Sequence, residues 1–274
     1  MEMGLTFCES HLQRNDKGEL MLPSFYLGTW KIDTYWLMLA VGAFGMFLCV
    51  LYRRKYFPLQ WGTGVIFTLI LTVVGVLGAK LLFVLENLQE TLENGLSLGG
   101  VSFFGSVFLI LMLMPLVGRL FRLRDGQTLD LCAPCVAVMI GCMRVGCFLT
   151  GCCGGWEVCV GNWRFRWPTQ AMDSIGDFAI LLLLMQWEEQ GKQKNLLYPW
   201  FMVFYSIMRF FIEFLRDTPK DWLFLSHGQW FSLAAVAIGG GMIVAANQNR
   251  KPTKMNNPAN CCGDRREKQG RVRK

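Results

Sequence analysis

WGTGVIFTLILTVVGVLGAKLLFVL, residues 61–85, carries one charge, Lys80, in twenty-five positions. A helix rises 1.5 Å per residue, so about 20 apolar residues cross the roughly 30 Å of hydrocarbon in a bilayer. One such run could be the buried helix of a large soluble protein. This run has company: residues 35–51, 101–117, 129–149, 170–187, 196–215 and 228–246 read the same way. Seven windows in 274 residues leave too little polar chain to enclose them in a soluble fold. Hydrophobic residues make up 53% and charged residues 17%, against about 25% charged in soluble domains. No strand alternation competes, and strands cross a bilayer only as closed barrels. The expected fold is therefore an all-α membrane protein with about seven transmembrane helices. Residues 1–30 read as a polar extracytoplasmic head, 31–248 as the membrane domain and 249–274 as a basic cytoplasmic tail, with no internal repeat.

Basic residues in short loops set the orientation. Arg53, Arg54 and Lys55 follow the first window, Arg119, Arg122 and Arg124 the third, and Lys192 and Lys194 the fifth. The tail ends Arg271-Val272-Arg273-Lys274. All of these fall on one side, which reads as cytoplasmic. The loop after the second window carries Glu86, Glu90 and Glu93 instead. The N-terminus is expected outside and the C-terminus inside, with no cleaved signal peptide evident in the first 30 residues. Much of the net charge of +7 lies in the tail. It suits anionic lipid heads better than nucleic acid, for which interleaved aromatics are missing.

Ionisable residues inside the windows cost at least ~2.5–3.5 kcal/mol each at the bilayer centre. Lys80, Arg144 and Arg209 each fall about five or six residues before the outer end of a window, roughly 8–9 Å below the surface. Three cations at one depth predict a positive pocket under the outer phosphate layer. The competing reading pairs each cation with an acid: Glu213 lies four residues after Arg209, and Asp173 could serve another. Tyr205, Arg209 and Glu213 follow at i, i+4 and i+8, with Arg216 beyond, so this stripe must face a cavity or other helices. A guanidinium fork suits phosphate. The segment from Arg144 through Gly146, Cys147, Gly151, Cys152, Cys153 and Gly154 to Gly155 leaves the membrane as a Gly- and Cys-rich turn. Its glycines allow close backbone approach and N–H exposure to an anion; an ordinary helix C-terminus is the plainer account.

These blocks, in order, resemble the prolipoprotein diacylglyceryl transferase family. Ile32-Asp33-Thr34-Tyr35 resembles its first-span entry, and Gly78-Ala79-Lys80 its Gly-Ala-Arg. Gly99-Gly100-Val101-Ser102-Phe103-Phe104-Gly105 resembles Gly-Gly-x-Ser-Phe-His-Gly. Arg144-Val145-Gly146-Cys147-Phe148 resembles Arg-x-Gly-Asn-Phe, and Arg166-Trp167-Pro168-Thr169-Gln170 resembles Arg-His-Pro-Ser-Gln. Tyr205 through Arg216 resembles Tyr-x-x-x-Arg-Phe-x-x-Glu-Phe-x-Arg, and His227-Gly228-Gln229 through Ser232 resembles Met-Gly-Gln-x-x-Ser. The resemblance spans about residues 22–245. It implies transfer of a diacylglyceryl group from phosphatidylglycerol to the lipobox cysteine of a prolipoprotein, in the bacterial cytoplasmic membrane and at the outer leaflet, without cofactor or metal. Carried over by position, Arg144, Arg209, Glu213 and Tyr205 would be catalytic. Tyr35, Lys80, Ser102, Gly105, Gly146, Cys147, Gly151, Gly155, Gln170 and Arg216 would bind substrate.

The chain departs from that pattern in specific places. Phe104 stands where the family has His, Cys147 where it has Asn, and Cys152 at a Glu position; Lys80 keeps a charge but loses the fork. The phosphate-holding half reads as retained, and the thiol-activating half must be supplied differently. Glu213 is one candidate base and the field of the cations another. A branch with another acceptor, or an inactive lipid-binding protein, is the alternative reading. A small-solute transporter fits less well, because its charges would lie at the midplane among inverted repeats.

Of eleven cysteines, Cys49, Cys132, Cys135 and Cys142 fall in windows and behave as small apolar residues. Cys147, Cys152, Cys153 and Cys159 cluster near the outer face, where disulfide, metal or free thiol are all open. Zinc is disfavoured because no suitable His accompanies them. Cys261 and Cys262 lie in the tail.

Overall fold

The structure is a computed structural model describing residues 9–10, 13–14, 20–21, 24–27, 30–57, 61–88, 102–160, 163–216, 218 and 225–250. The readings placed on Glu90, Glu93, Gly99, Gly100, most of the head and the tail beyond Arg250 fall outside these residues.

Seven α-helices form among the described residues: α1 (Thr34–Arg53), α2 (Trp61–Glu86), α3 (Phe103–Leu120), α4 (Asp125–Thr150), α5 (Thr169–Glu189), α6 (Leu197–Glu213) and α7 (His227–Arg250). By length and composition, α1, α2, α3, α4 and α7 are each capable of crossing a membrane. Two of the seven expected spans differ. Helix α5 carries Asp173 and Asp177 and ends in Glu188-Glu189, and α6 has 17 residues.

Helix α4 is the axis of the bundle. Its most apolar window is 78% buried, whereas those of α1, α2, α3 and α7 are 28–39% buried. Helices α1, α3, α5 and α6 pack around it. A helix apolar on all sides is what a central position requires, and small residues let its neighbours close in. Ala133, Ala137 and Cys132 are fully buried, and a Cβ on Gly42 of α1 would meet Cys142 Cβ at 3.2 Å. The peripheral helices turn apolar side chains outward, among them Leu69, Val73, Leu77 and Leu81 of α2. In water such a stripe would be a liability; against lipid tails it is the expected surface.

The sequence reading contained no strands, and the structure adds several short ones. In the head, β1 (Glu9–Ser10), β4 (Ser24–Leu27) and β5 (Trp30–Asp33) form an antiparallel sheet in the order β1-β4-β5, and β2 (Gln13–Arg14) pairs with β3 (Leu20–Met21). Between α4 and α5, β6 (Glu157–Val160) and β7 (Trp163–Arg166) make a hairpin with Glu157 opposite Arg166. Backbone groups outside helices must still find partners; two- to four-residue pairings satisfy them but are too short to show a period in sequence.

At the bundle end where the basic loops gather, Arg53 is fully buried rather than loop-exposed. Its Nε donates to Glu188 Oε2 at 2.6 Å, and its Nη1 and Nη2 donate to the carbonyls of Leu131 and Asp130 at 2.8 Å each. The Asp130 carboxylate accepts from the backbone N–H of Asn195 (2.5 Å) and of Leu197 (2.8 Å), capping the start of α6. This network locks α1, α4, α5 and α6 together. At the opposite end, Gly78 of α2 and Gly105 of α3 touch backbone to backbone. A Cβ on either would collide with the carbonyl of the other.

Candidate active site

Helix α6 turns Tyr205, Arg209 and Glu213 onto one buried face, as the i, i+4, i+8 spacing requires. Arg209 and Glu213 are 7% and 3% exposed. Arg209 Nη1 donates to Asp173 Oδ2 of α5 at 3.0 Å, while its Nη2 lies 2.5 Å from Glu213 Oε2. Asp173 Oδ2 also lies 3.3 Å from Arg144 Nε of α4, an ion pair whose angle falls short of a hydrogen bond. Arg216 Nη1 approaches Glu213 Oε2 at 4.0 Å. The result is an alternating chain: Arg144, Asp173, Arg209, Glu213, Arg216. Three helices contribute to it.

This arrangement corrects the expected pocket. The cations are not a bare cluster: two carboxylates interleave them, each shared between two arginines. Lys80 does not join the chain; its Nζ sits over the Phe83 ring, 5.6 Å from the centroid. The charges still crowd. Burial, then the charges of Arg209 and Arg144, draw the Arg216 guanidinium down from its ordinary value. Cations that disfavour one another in a half-dry site are stabilised by a bound anion.

The Gly- and Cys-rich turn closes over this chain. Gly151 ends α4 in the left-handed region (φ 69°), with its N–H on the Phe148 carbonyl at 3.2 Å. Gln170 Nε2 donates to the Cys152 carbonyl at 2.6 Å and Thr169 Oγ1 to the Cys153 carbonyl at 3.2 Å, so the first turn of α5 holds the loop. Gly155 bridges to Arg216, and the Trp156 N–H donates to the Leu215 carbonyl at 3.0 Å. A side chain at Gly155 would collide with that carbonyl. Gly146 performs the same service against α1, where a Cβ would meet Met38 Cβ at 3.0 Å. Tyr35 is half-buried within the electrostatic reach of Cys147, Cys152, Cys153 and Arg144. Cys147, Cys152 and Cys153 are free thiols, Cys147 buried and the other two exposed.

Phe104 occupies an aromatic cluster. Its ring centroid lies 5.8 Å from that of Tyr205, 6.3 Å from Phe108 and 6.0 Å from Phe231. This places the family's His position directly against the Tyr205 ring, and fills it with an apolar group. Ser102 precedes α3, its N–H on the Ala79 carbonyl at 3.0 Å. Gly105 serves the α2–α3 crossing.

Arg144, Arg209, Arg216, Glu213, Tyr205, Tyr35, Cys147, Gln170, Gly151 and Gly155 thus gather around one end of α4, α5 and α6. Ser102 and Lys80 stand on the α2–α3 side, linked through the Phe104–Tyr205 contact. Four contributors were missed: Asp177, Ser206, Thr218 and Ser226. Asp177 is fully buried, and its two carboxylate oxygens, the Tyr205 hydroxyl and Ser206 Oγ have no hydrogen-bond partner among the described residues. Thr218 Oγ1 and Ser226 Oγ donate to Glu213 Oε1 at 3.0 and 3.1 Å. Asp177 was findable, as a second acid four residues after Asp173 in an apolar window; the three hydroxyls had no such signal.

A helical bundle with lipid-type outer faces and a buried arginine–carboxylate chain at one end is the architecture of a membrane protein with a charged internal site. The family model for prolipoprotein diacylglyceryl transferase matches residues 23–245, and the chain belongs to that family of bacterial membrane transferases. A phosphatidylglycerol–prolipoprotein diacylglyceryl transferase 2 of Clostridium perfringens is 30% identical over 209 residues, covering 67% of this chain and 80% of that protein. A phosphatidylglycerol–prolipoprotein diacylglyceryl transferase of Clostridium tetani is 29% identical over 182 residues (60% and 73%), and one of a Marinomonas species 26% over 243 residues (80% and 90%).

Proposed function

We propose that the protein transfers the diacylglyceryl group of phosphatidylglycerol to the thiol of a lipobox cysteine in a prolipoprotein. The observation that carries this reading is the shared Asp173 carboxylate, which holds Arg144 and Arg209 together in a buried site. In this account the lipid phosphate approaches the guanidinium edges of Arg144, Arg209 and Arg216. The acceptor thiolate attacks the glycerol carbon that bears the phosphate oxygen. An S–C bond forms, the C–O bond breaks, and glycerol phosphate departs with the electron pair. Donors aimed at the developing charge lower the barrier most. Tyr205, against the aromatic cluster, lines the same site, with its hydroxyl available to substrate. Tyr35, Lys80, Ser102, Cys147 and Gln170 frame it, and Gly105, Gly146, Gly151 and Gly155 allow the backbone approaches that shape it.

All seven helices span the cytoplasmic membrane in this reading, with the N-terminus and the active site outside and the C-terminus inside. Residues 1–30 form an extracytoplasmic head and 249–274 a basic tail against anionic lipid. Helices α5 and α6 are less apolar because their polar faces line the site, where charged side chains in a membrane belong. Replacing Arg144 or Arg209 by Gln in purified, reconstituted protein tests the reading. Both variants are expected to insert, bind phosphatidylglycerol weakly and release no glycerol phosphate in the presence of a lipobox peptide. Normal turnover by both would make the arginine chain structural.

A further inference from the structure

The reaction needs a group to take the acceptor thiol's proton, and the two obvious places for one are occupied. Phe104 is apolar and enclosed by Tyr205, Phe108 and Phe231. Glu213 is held on both sides: Oε2 forms ion pairs with Arg209 and, more distantly, Arg216 without a well-aligned hydrogen bond, and Oε1 accepts from both Thr218 and Ser226. A buried carboxylate set between two arginines in an ion-pair chain orients them.

The chain has two histidines, and His227 stands beside this site. It is the first residue of α7, exposed, and bracketed by two residues that touch Glu213. Ser226 Oγ donates to Glu213 Oε1, and a Cβ on Gly228 would meet the Glu213 carboxyl carbon at 3.4 Å. The turn is fixed by a reciprocal cap. The Ser226 N–H donates to Gln229 Oε1 at 3.0 Å, the Gln229 N–H to Ser226 Oγ at 3.3 Å, and Gln229 is fully buried. The His227 imidazole lies within electrostatic reach of Glu86 at the end of α2. The start of α7 therefore sits against the Glu213 end of the ion-pair chain, where that carboxylate also faces Arg209 and Arg216.

We propose that His227 is the general base of the transfer, taking the proton of the acceptor thiol at the mouth of the site. This rests on the transferase reading above. Atoms balance simply: the thiol proton passes to the imidazole, sulfur bonds to the glycerol carbon, and the C–O electron pair leaves with glycerol phosphate. The imidazolium then returns the proton to the departing phosphate or to water. An exposed imidazole is accessible to a peptide arriving from outside, whereas Phe104 and Glu213 are sealed within the bundle.

The test uses the full-length protein in phosphatidylglycerol vesicles with a lipobox peptide. His227→Gln is expected to keep phosphatidylglycerol binding while transfer at pH 7 falls by about 10²–10³. The rate should recover as the peptide thiol ionises by itself above about pH 8.5. Wild-type rate and pH dependence in His227→Gln would overturn the proposal, as would loss of lipid binding together with transfer, which would make His227 part of the lipid site. Absence of transfer from wild-type protein at every pH would instead overturn the transferase reading, and this inference with it.

Discussion

Asp173 Oδ2 accepts a hydrogen bond from Arg209 Nη1 at 3.0 Å inside an apolar bundle, with the carboxylate 2% exposed. The same oxygen serves Arg144. One acid thus holds two guanidiniums in fixed relation, and much of the site's geometry depends on it.

Asp173→Asn should therefore be more damaging than loss of either arginine's charge alone. Removing one partner of a buried ion pair costs about 3–5 kcal/mol, because the other is left uncompensated. The unfolding midpoint of the detergent-solubilised variant is expected to fall well below wild type. Added phosphatidylglycerol should restore part of the loss, since its phosphate can neutralise the freed guanidiniums. Restoration by a zwitterionic lipid to the same degree would argue against an anion site.

Arg209→Lys keeps the charge but not the fork. Arg209 reaches Asp173 with one terminal nitrogen and Glu213 with the other, and a single ammonium cannot span both in that geometry. Transfer is expected to drop by about two orders of magnitude, against complete loss in Arg209→Gln, as measured by glycerol phosphate release.

The orientation makes its own prediction. In protein whose native exposed thiols have been replaced, a cysteine at Glu157 should react with a membrane-impermeant reagent added to intact cells, and one at Lys192 should not. Both positions are solvent-exposed, so accessibility within the protein does not confound the comparison. The reverse pattern would move the site to the inner leaflet.

How much of this was legible in the sequence follows from what each feature depends on. Lengths of apolar chain made the helices visible, with α2 matching its expected window 61–85 almost to the residue. The face shared by Tyr205, Arg209 and Glu213 followed from helical period alone. Its partners did not. Nothing local says that Asp173 sits between Arg144 and Arg209, because that depends on how α4, α5 and α6 pack. Gly105 shows the same limit: it looks like a ligand-site glycine in its motif, yet its contact with Gly78 is a helix crossing. Arg53 read as a loop cation from its neighbours Arg54 and Lys55, but Glu188, 135 residues away in sequence, buries it. Strands of two to four residues in the head and the β6–β7 hairpin were too short for any period to show.

The central claim is transfer itself. Purified protein in vesicles of labelled phosphatidylglycerol, given a peptide with a lipobox cysteine, should release glycerol phosphate in step with formation of an S-diacylglyceryl peptide, and should release none when the cysteine is replaced by serine. Lipid binding without release of glycerol phosphate, with that peptide present at any pH, would contradict the account and leave a lipid-binding protein built on the transferase fold.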